Sequence, residues 1–216
     1  MEKTDKTKRV AVYLIPALLL ITTYLAFHFL SWQFDPKTGY FLGFVFYWSF
    51  WCVSIPLLLL GGNSVKTFFK LQRPLFGKYK IRNILFLLLP LVFAYSYEFP
   101  KALAQSNLLI IISSLALSFI NAVLEEILWR GTFLKLMGVN SGLYIPLSSL
   151  GFAVWHFVPL SIFGNSNPGG SFSFVFVSFI LGCLYSTVFK DTKSILLIAA
   201  SHILFDFSGL GARIYF

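Results

Sequence analysis

Charged residues are scarce in this sequence. Only 12% of its 216 residues are Asp, Glu, Lys or Arg, whereas soluble domains contain about a quarter. The hydrophobic share of 57% and the mean hydropathy of +0.80 exclude an ordinary water-soluble domain. One membrane-spanning helix needs about 20 apolar residues, so the length suits about seven such helices, or eight, with short connections. We therefore expect an all-α, polytopic membrane helix bundle, in which residues 1–216 form a single membrane domain.

Several chemical motifs are also missing. The two cysteines, Cys52 and Cys183, lie in separate apolar runs without neighbouring ligand residues, which argues against a disulfide framework or a cysteine-based metal site. The sequence has no His-Glu-x-x-His zinc motif and no Gly-x-Ser-x-Gly nucleophile elbow. Ser201 adjoins His202 and so points away from the helix face of that residue. An internal repeat of the kind that many transporters carry is absent as well.

Basic residues outnumber acidic ones, and their positions indicate topology. The net charge is +9, but Lys and Arg stand at the ends of apolar runs, so we expect contact with anionic lipid and no nucleic-acid binding. If the chain crosses the membrane seven times from a cytoplasmic N-terminus, thirteen of the 17 basic residues face the cytoplasm and three face the opposite side, with Arg130 inside the membrane. This excess predicts that orientation.

Seven apolar runs can be separated along the chain, because polar or turn residues divide them. They cover about residues 10–32, 39–60, 84–97, 106–137, 143–160, 172–189 and 194–207. Residues 10–100 would supply helices 1–3, and residues 105–207 would form a second helical unit. The long polar segment 61–83 is predicted to be solvated and lipid-facing. Loops are predicted at residues 138–142 and 161–171.

A few ionisable residues lie inside the apolar runs. A charge at the middle of a bilayer costs a few kcal/mol even on lenient insertion scales, so such residues usually face a cavity or one another and often carry function. His28 has no acidic neighbour at helical spacing, and we interpret it as structural. The other six lie in the second half of the chain: Glu125, Glu126, Arg130, His156, His202 and Asp206.

Helical spacing pairs four of these residues. Glu126 and Arg130 are four residues apart with the acid first, which favours an ion pair. His202 and Asp206 have the same spacing, so the carboxylate can orient the imidazole. Glu125 is rotated by about 100° from its neighbour and can face a different partner. At a rise of 1.5 Å per residue, Glu125, Asp206 and both histidines of this half come to lie roughly 12–22 Å below the cytoplasmic surface, where they could meet.

Three motifs resemble those of one family of membrane proteins. Glu-Glu-x-x-x-Arg at 125–130, Phe-x-x-x-His at 152–156 and His-x-x-x-Asp at 202–206 are similar to the motifs of the CPBP family, which comprises CAAX prenyl endopeptidases and bacteriocin-processing, Abi-type proteins. The resemblance covers about residues 105–207. It implies that this region is the catalytic helical core of an intramembrane peptidase.

By this resemblance, Glu125 and His156 would activate a water molecule, while His202 and the residue at 206 would stabilise the oxyanion. Glu126, held by the arginine at the end of its motif, would support the site. Peptide hydrolysis does need a base and an oxyanion donor. Well-characterised CAAX proteases carry Asn where this chain has Asp206. We therefore expect Asp206 to orient His202 rather than to donate to the oxyanion.

A metal-dependent version of this site stays open. Nitrogen and oxygen ligands suit zinc, so Glu125, His156, His202 and Asp206 could ligate that ion. The missing His-Glu-x-x-His pair favours a glutamate mechanism without a cofactor.

Other interpretations of the same residues also stay open. Glu125, Glu126 and Arg130 could form a structural ion-pair knot, and the last motif an interhelical hydrogen-bond clasp. The protein would then be a non-catalytic immunity or scaffold protein of the same fold, or a proton-coupled transporter. As a peptidase it would take a peptide or a lipidated protein at the plasma membrane. The sequence does not indicate the substrate or the oligomeric state, since small-residue patterns such as Gly39-x-x-x-Gly43 are common in membrane helices.

Overall fold

The computed structural model of the protein describes residues 2–138, 142–165 and 169–216, with side chains from Tyr13 onwards. Within these residues the regular secondary structure is helical, without β-strands. This confirms the predicted fold class. The predicted break at Asn140, the middle of the predicted loop 161–171 and the basic side chains near the N-terminus lie outside the described parts.

The described residues form eight helices. Five of them are long: α1 (Glu2–Gln33), α2 (Pro36–Leu60), α4 (Lys80–Ala104), α5 (Leu108–Met137) and α7 (Gly170–Thr192). The other three are shorter: α3 (Gly62–Thr67), α6 (Tyr144–Leu160) and α8 (Leu196–Ser208). A single 3₁₀ turn, Gly211–Ile214, follows α8.

Five helices are long and apolar enough to cross a membrane: α1 from Tyr13, α2, α4, α5 and α7. Their outward faces carry many exposed Leu, Ile, Val and Phe side chains, as expected of surfaces in contact with lipid. The chain is thus a multi-pass membrane protein. Helix α8 has 13 residues, roughly 20 Å at the rise of an α-helix, which is shorter than a hydrocarbon core of about 30 Å. The predicted seven crossings and the predicted orientation stay predictions.

Helices α1 and α2 form a hairpin that depends on glycine. Asp35 caps the start of α2 by accepting hydrogen bonds from the amides of Lys37 and Thr38 at 3.0 and 3.1 Å. A Cβ at Gly39 would collide with the backbone of α1, and one at Gly43 would lie 2.6 Å from a ring carbon of Phe27. The Gly-x-x-x-Gly pattern is therefore used for packing inside this chain.

Three long helices contain π-helical segments, which widen the turn locally. These segments are Tyr47–Ser54 in α2, Ala94–Glu98 in α4 and Ile127–Thr132 in α5. Helix α6 is interrupted at His156, where its first part ends. Pro159 explains this interruption, because a proline ring clashes with the carbonyl group four residues earlier, here that of Trp155.

The polar segment after α2 is anchored more firmly than a solvated loop. Phe68 is only 2% exposed, its ring packs on Gly131 of α5, and its carbonyl accepts from the amide of Ile195 at 2.9 Å. At the far end of the segment, Arg82 pairs with Asp191 at 2.6 Å. The basic residues between these anchors are exposed, as predicted, but the segment covers the bundle as well as facing its surroundings.

Helix α5 lies at the centre of the arrangement. It packs along α8, its π-helical segment contacts that of α2, and the same segment touches α6 and α7. Helices α6 and α7 pack closely together, and α7 also contacts α4. Helix α5 therefore contacts α6, which carries His156, and α8, which carries His202 and Asp206.

Candidate active site

Glu125 and Glu126 close the regular part of α5, immediately before its π-helical segment. Both side chains are completely buried. A buried carboxylate must be paired or hydrogen-bonded, since the desolvation cost is otherwise large. The two carboxylates face different directions around the helix axis, as predicted, and each has polar partners that the other lacks.

His202 of α8 lies between the acids. Its Nδ1 is 2.8 Å from Glu126 Oε1, a normal hydrogen-bond distance. Its Nε2 is 3.7 Å from Glu125 Oε2 and 3.4 Å from Asp206 Oδ1. These two distances exceed those of good N–H···O hydrogen bonds. One ring nitrogen is thus held firmly, and the other faces a gap between two carboxylates.

Glu126 also pairs with Arg130, as the spacing predicts. The distance from Arg130 Nη1 to Glu126 Oε1 is 3.1 Å, and both side chains are buried. The guanidinium carbon lies 4.3 Å from the ring centroid of Phe152, so the cation is stabilised by the ring as well as by the acid. Within the described residues, none of the three guanidinium nitrogens of Arg130 has a hydrogen bond of good geometry. The pair is therefore held by charge.

Asp206 is not the residue that orients His202 most closely. Glu126 lies closer to the ring, at 2.8 Å, than Asp206, at 3.4 Å. Asp206 instead accepts a hydrogen bond from Asn121 Nδ2 at 3.0 Å. The same amide nitrogen lies 3.3 Å from Glu125 Oε2, so Asn121 bridges the two carboxylates.

His156 lies on the outer side of this cluster. Its Nδ1 bonds to the carbonyl oxygen of Phe152 at 2.8 Å. The Phe152 ring contacts the imidazoles of both His156 and His202, with centroids 4.7 and 5.9 Å away. His156 is close enough to Asp206 to interact with its charge. In the described part of the chain, no polar contact joins His156 to Glu125.

The cluster is open on one side. The side chain of Asp206 is 25% exposed and that of His202 is 4% exposed, whereas Glu125 and Glu126 are fully enclosed. His156 is half-buried. A polar molecule entering from the side of Asp206 and His156 would reach His202 Nε2 and Glu125. The arrangement places a carboxylate near an imidazole nitrogen, and these are the types of group that supply the base and the N–H donor in hydrolysis.

The glutamate-dependent and the metal-dependent versions of this site both stay predictions. In the described ranges, no three or more His, Cys, Asp or Glu side chains are grouped so as to hold a metal. His202 Nδ1 is occupied by Glu126, and Glu125 Oε1 accepts from the hydroxyl of Tyr47 at 3.2 Å. One potential ligand atom of His202 and one of Glu125 are thus used in hydrogen bonds, whereas His202 Nε2 is not.

The comparison with known families agrees with the three motifs. Residues 106–208 match the model of the family described as type II CAAX prenyl endopeptidase, Rce1-like. This segment is similar to the Rce1-like family. No curated protein and no solved structure matches the chain. The Rce1-like segment begins one residue before Asn107, which caps α5, and ends at the last residue of α8.

Sequence reasoning missed Asn121 and Tyr47, which contact the acids, and Trp48, which contacts Asn121. Asn121 could have been found, because it is a polar residue in an apolar run, four positions before Glu125. Tyr47 and Trp48 gave no such signal, since the first half of the chain is rich in aromatic residues. Trp48 Nε1 donates to Asn121 Oδ1 at 2.9 Å. His28, interpreted as structural, bonds to Ser161 at 2.9 Å, away from the acids.

Proposed function

We propose that the protein is an intramembrane endopeptidase in which Glu125 activates water for the hydrolysis of a peptide bond. The observation that carries this proposal is the buried contact between Glu125, His202 and Asp206, within a segment that matches a peptidase family. Glu125 Oε2 lies 3.7 Å from His202 Nε2, the ring nitrogen that Glu126 does not hold. Proximity of a base and a donor to the same gap is what acid–base catalysis requires.

The proposed reaction uses one water molecule. Glu125 removes a proton from water, and the resulting hydroxide attacks the carbonyl carbon of the peptide. His202 Nε2–H donates to the oxyanion that forms. The tetrahedral intermediate then breaks its C–N bond, and the proton held by Glu125 passes to the leaving amine. Glu126 fixes the donor by holding the other ring nitrogen. This role needs both nitrogens protonated, and the carboxylates around the ring compensate the charge.

His156 is proposed to hold the attacking water from the open side. Its Nδ1 is fixed by the carbonyl oxygen of Phe152, so its Nε2 is free to contact a solvent molecule near Asp206. This keeps the role that the family resemblance implies, with a water molecule between His156 and Glu125 in place of a direct contact.

The proposed substrate is a lipidated peptide in the bilayer of the plasma membrane. An apolar groove of about 580 Å³ runs between α1 and α6, and it is lined by Leu20, Tyr24, Val154, Phe157 and Val158 among others. Two of these residues flank His156 closely in sequence. A hydrocarbon chain in this groove would bring the attached peptide to the open side of the cluster.

Purified protein in lipid vesicles, mixed with a fluorescence-quenched peptide that ends in a prenylated Cys-aliphatic-aliphatic-X sequence, tests the proposal. Mass spectrometry of the products identifies the bond that is cut. Glu125→Gln should abolish cleavage, whereas the matched change Glu98→Gln, at the end of the π-helical segment of α4, should leave it intact. Equal cleavage by both variants would refute the assignment. A phenotype in cells that survives Glu125→Gln would favour the non-catalytic scaffold instead.

A further inference from the structure

Helix α2 lies outside the Rce1-like segment, yet it reaches the acids through its π-helical segment. The hydroxyl of Tyr47 donates to Glu125 Oε1 at 3.2 Å and accepts from Trp129 Nε1 at 2.9 Å. An indole N–H can only donate, so the phenol oxygen must accept from Trp129, and its own proton points towards Glu125. Trp155 stacks on the Tyr47 ring with centroids 3.9 Å apart. The direction of this donor is therefore fixed.

The next residue of α2 begins a second chain of hydrogen bonds. Trp48 Nε1 donates to Asn121 Oδ1 at 2.9 Å, which determines which end of the Asn121 amide faces the acids. The amide nitrogen then contacts Glu125 Oε2 at 3.3 Å and Asp206 Oδ2 at 3.0 Å. An amide nitrogen carries two hydrogens, so it can donate one to each carboxylate.

The two chains share one design. Each starts at an indole N–H, which cannot accept, and each ends at a carboxylate of the candidate site. Together they hold both oxygens of Glu125, one through Tyr47 and the other through Asn121. The π-helical segments of α2 and α5 contact each other at this point, and such segments are frequent at functional sites.

We propose that Tyr47 and Trp48 are positioning residues of the peptidase site, which orient the Glu125 carboxylate from the first half of the chain. The inference rests on the proposed function of Glu125. Each carboxylate oxygen has two lone pairs, and the hydrogen bonds from Tyr47 and Asn121 occupy only part of them. The rest face His202 and water in a fixed direction. Without these donors the carboxylate could rotate about its last torsion, and the geometry for proton removal would be lost in most orientations.

Phenylalanine substitutions test this inference with matched controls. Tyr47→Phe removes the donor to Glu125 in the first chain, and Trp48→Phe removes the indole donor that starts the second chain. Tyr95→Phe removes a hydroxyl that bonds to the carbonyl oxygen of Leu204 at 3.1 Å. Trp51→Phe removes an indole donor in the same π-helical segment, whose acceptor is a threonine hydroxyl at 3.0 Å. Both controls lose one hydrogen bond without touching a site carboxylate.

Two measurements are needed. On the prenylated peptide, Tyr47→Phe should lower kcat about ten-fold, the value of one hydrogen bond to a charged group, with KM within about two-fold, because the donor acts on the base. By infrared difference spectroscopy, the carboxyl band that disappears in Glu125→Gln should shift in Tyr47→Phe and Trp48→Phe, and stay in place in both controls. A half-buried Trp48 makes its variant the safer one to fold.

The outcomes separate this inference from the proposed function. If the wild-type protein leaves the peptide uncut but the band shifts, the positioning contacts stand and the peptidase assignment fails. If the peptide is cut, and Tyr47→Phe and Trp48→Phe match the controls in kcat and in the band, the positioning role is refuted while the peptidase assignment stands.

Discussion

Replacement of Arg130 by methionine should destabilise the protein by about 3–5 kcal/mol, the usual cost of breaking a buried ion pair on one side. Arg130 and Glu126 are 1% and 0% exposed and lie 3.1 Å apart, so the variant takes the arginine cation from a buried carboxylate and leaves it His202 as its remaining polar partner. The guanidinium also lies 4.3 Å from the Phe152 ring, and loss of such a contact adds about 1–2 kcal/mol when it is desolvated. Methionine fills the space of the arginine stem as far as Nε, which limits the cavity that the variant leaves.

The assay is the free energy of unfolding in mixed micelles, measured with a denaturing detergent. The matched control is Arg82→Met, which breaks the pair with Asp191. That pair is shorter, at 2.6 Å, but its side chains are 36% and 19% exposed, so its loss should cost only about 0–1 kcal/mol. The double variant Glu126→Gln, Arg130→Met should recover part of the loss, since both charges are then gone. An equal loss of unfolding free energy in Arg130→Met and Arg82→Met would show that burial of the ion pair does not determine the cost.

Three further predictions follow from single features. Chelation of divalent metals should leave peptide cleavage unchanged, and loss of activity that zinc restores would contradict a glutamate mechanism. Gly39→Ala should destabilise the α1–α2 hairpin by about 1–3 kcal/mol, because the added Cβ meets the backbone of α1. Gly62→Ala, whose Cβ would lie 3.9 Å from its nearest neighbour, should be close to neutral in the same unfolding assay. A larger loss of stability in Gly62→Ala than in Gly39→Ala would contradict this packing. Hydrogen bonds from Thr38 and Lys37 hold the pKa of Asp35 below its ordinary value of 3.8, so the stabilising contribution of Asp35 should be present above that pH and lost below it. Asp35→Ala should remove this acid-dependent part of the unfolding free energy. A pH profile of stability that Asp35→Ala leaves unchanged would exclude this contribution.

Much of the fold could be predicted from the sequence, because hydrocarbon leaves few options. A run of apolar residues in a bilayer must form a helix to satisfy its backbone groups. Five of the seven predicted runs match the observed helices within three residues at each end, whereas α1 begins eight residues before its run and α4 ends seven residues after its run. The interruption of α6 at His156 was not predicted. Its cause, Pro159, was visible, but the position lies in a continuous apolar run. The burial of Phe68 could not be predicted either, since nothing local distinguishes it from Phe69, which is exposed.

The candidate site was predicted in part, and the limit has a physical cause. Contacts within one helix follow from spacing, as the pair of Glu126 with Arg130 shows. Contacts between helices depend on how the helices are rotated and how deep they lie, and the sequence does not give these values. The closest partner of His202 is therefore Glu126 from another helix rather than Asp206 from its own. For the same reason Tyr47 could not be recognised.

If Glu125 acts as a base, two variants of this one residue should separate the effect of its basicity from the effect of its shape. Glu125→Asp keeps a carboxylate but withdraws it by one methylene, whereas Glu125→Gln keeps the shape and removes the base. Measured as kcat on the prenylated peptide in vesicles, Glu125→Gln should fall roughly 10²–10⁴-fold, the range for loss of a general base, and Glu125→Asp should fall less. A Glu125→Gln variant that cuts as fast as Glu125→Asp, or faster, would show that the shape of the side chain matters and its basicity does not.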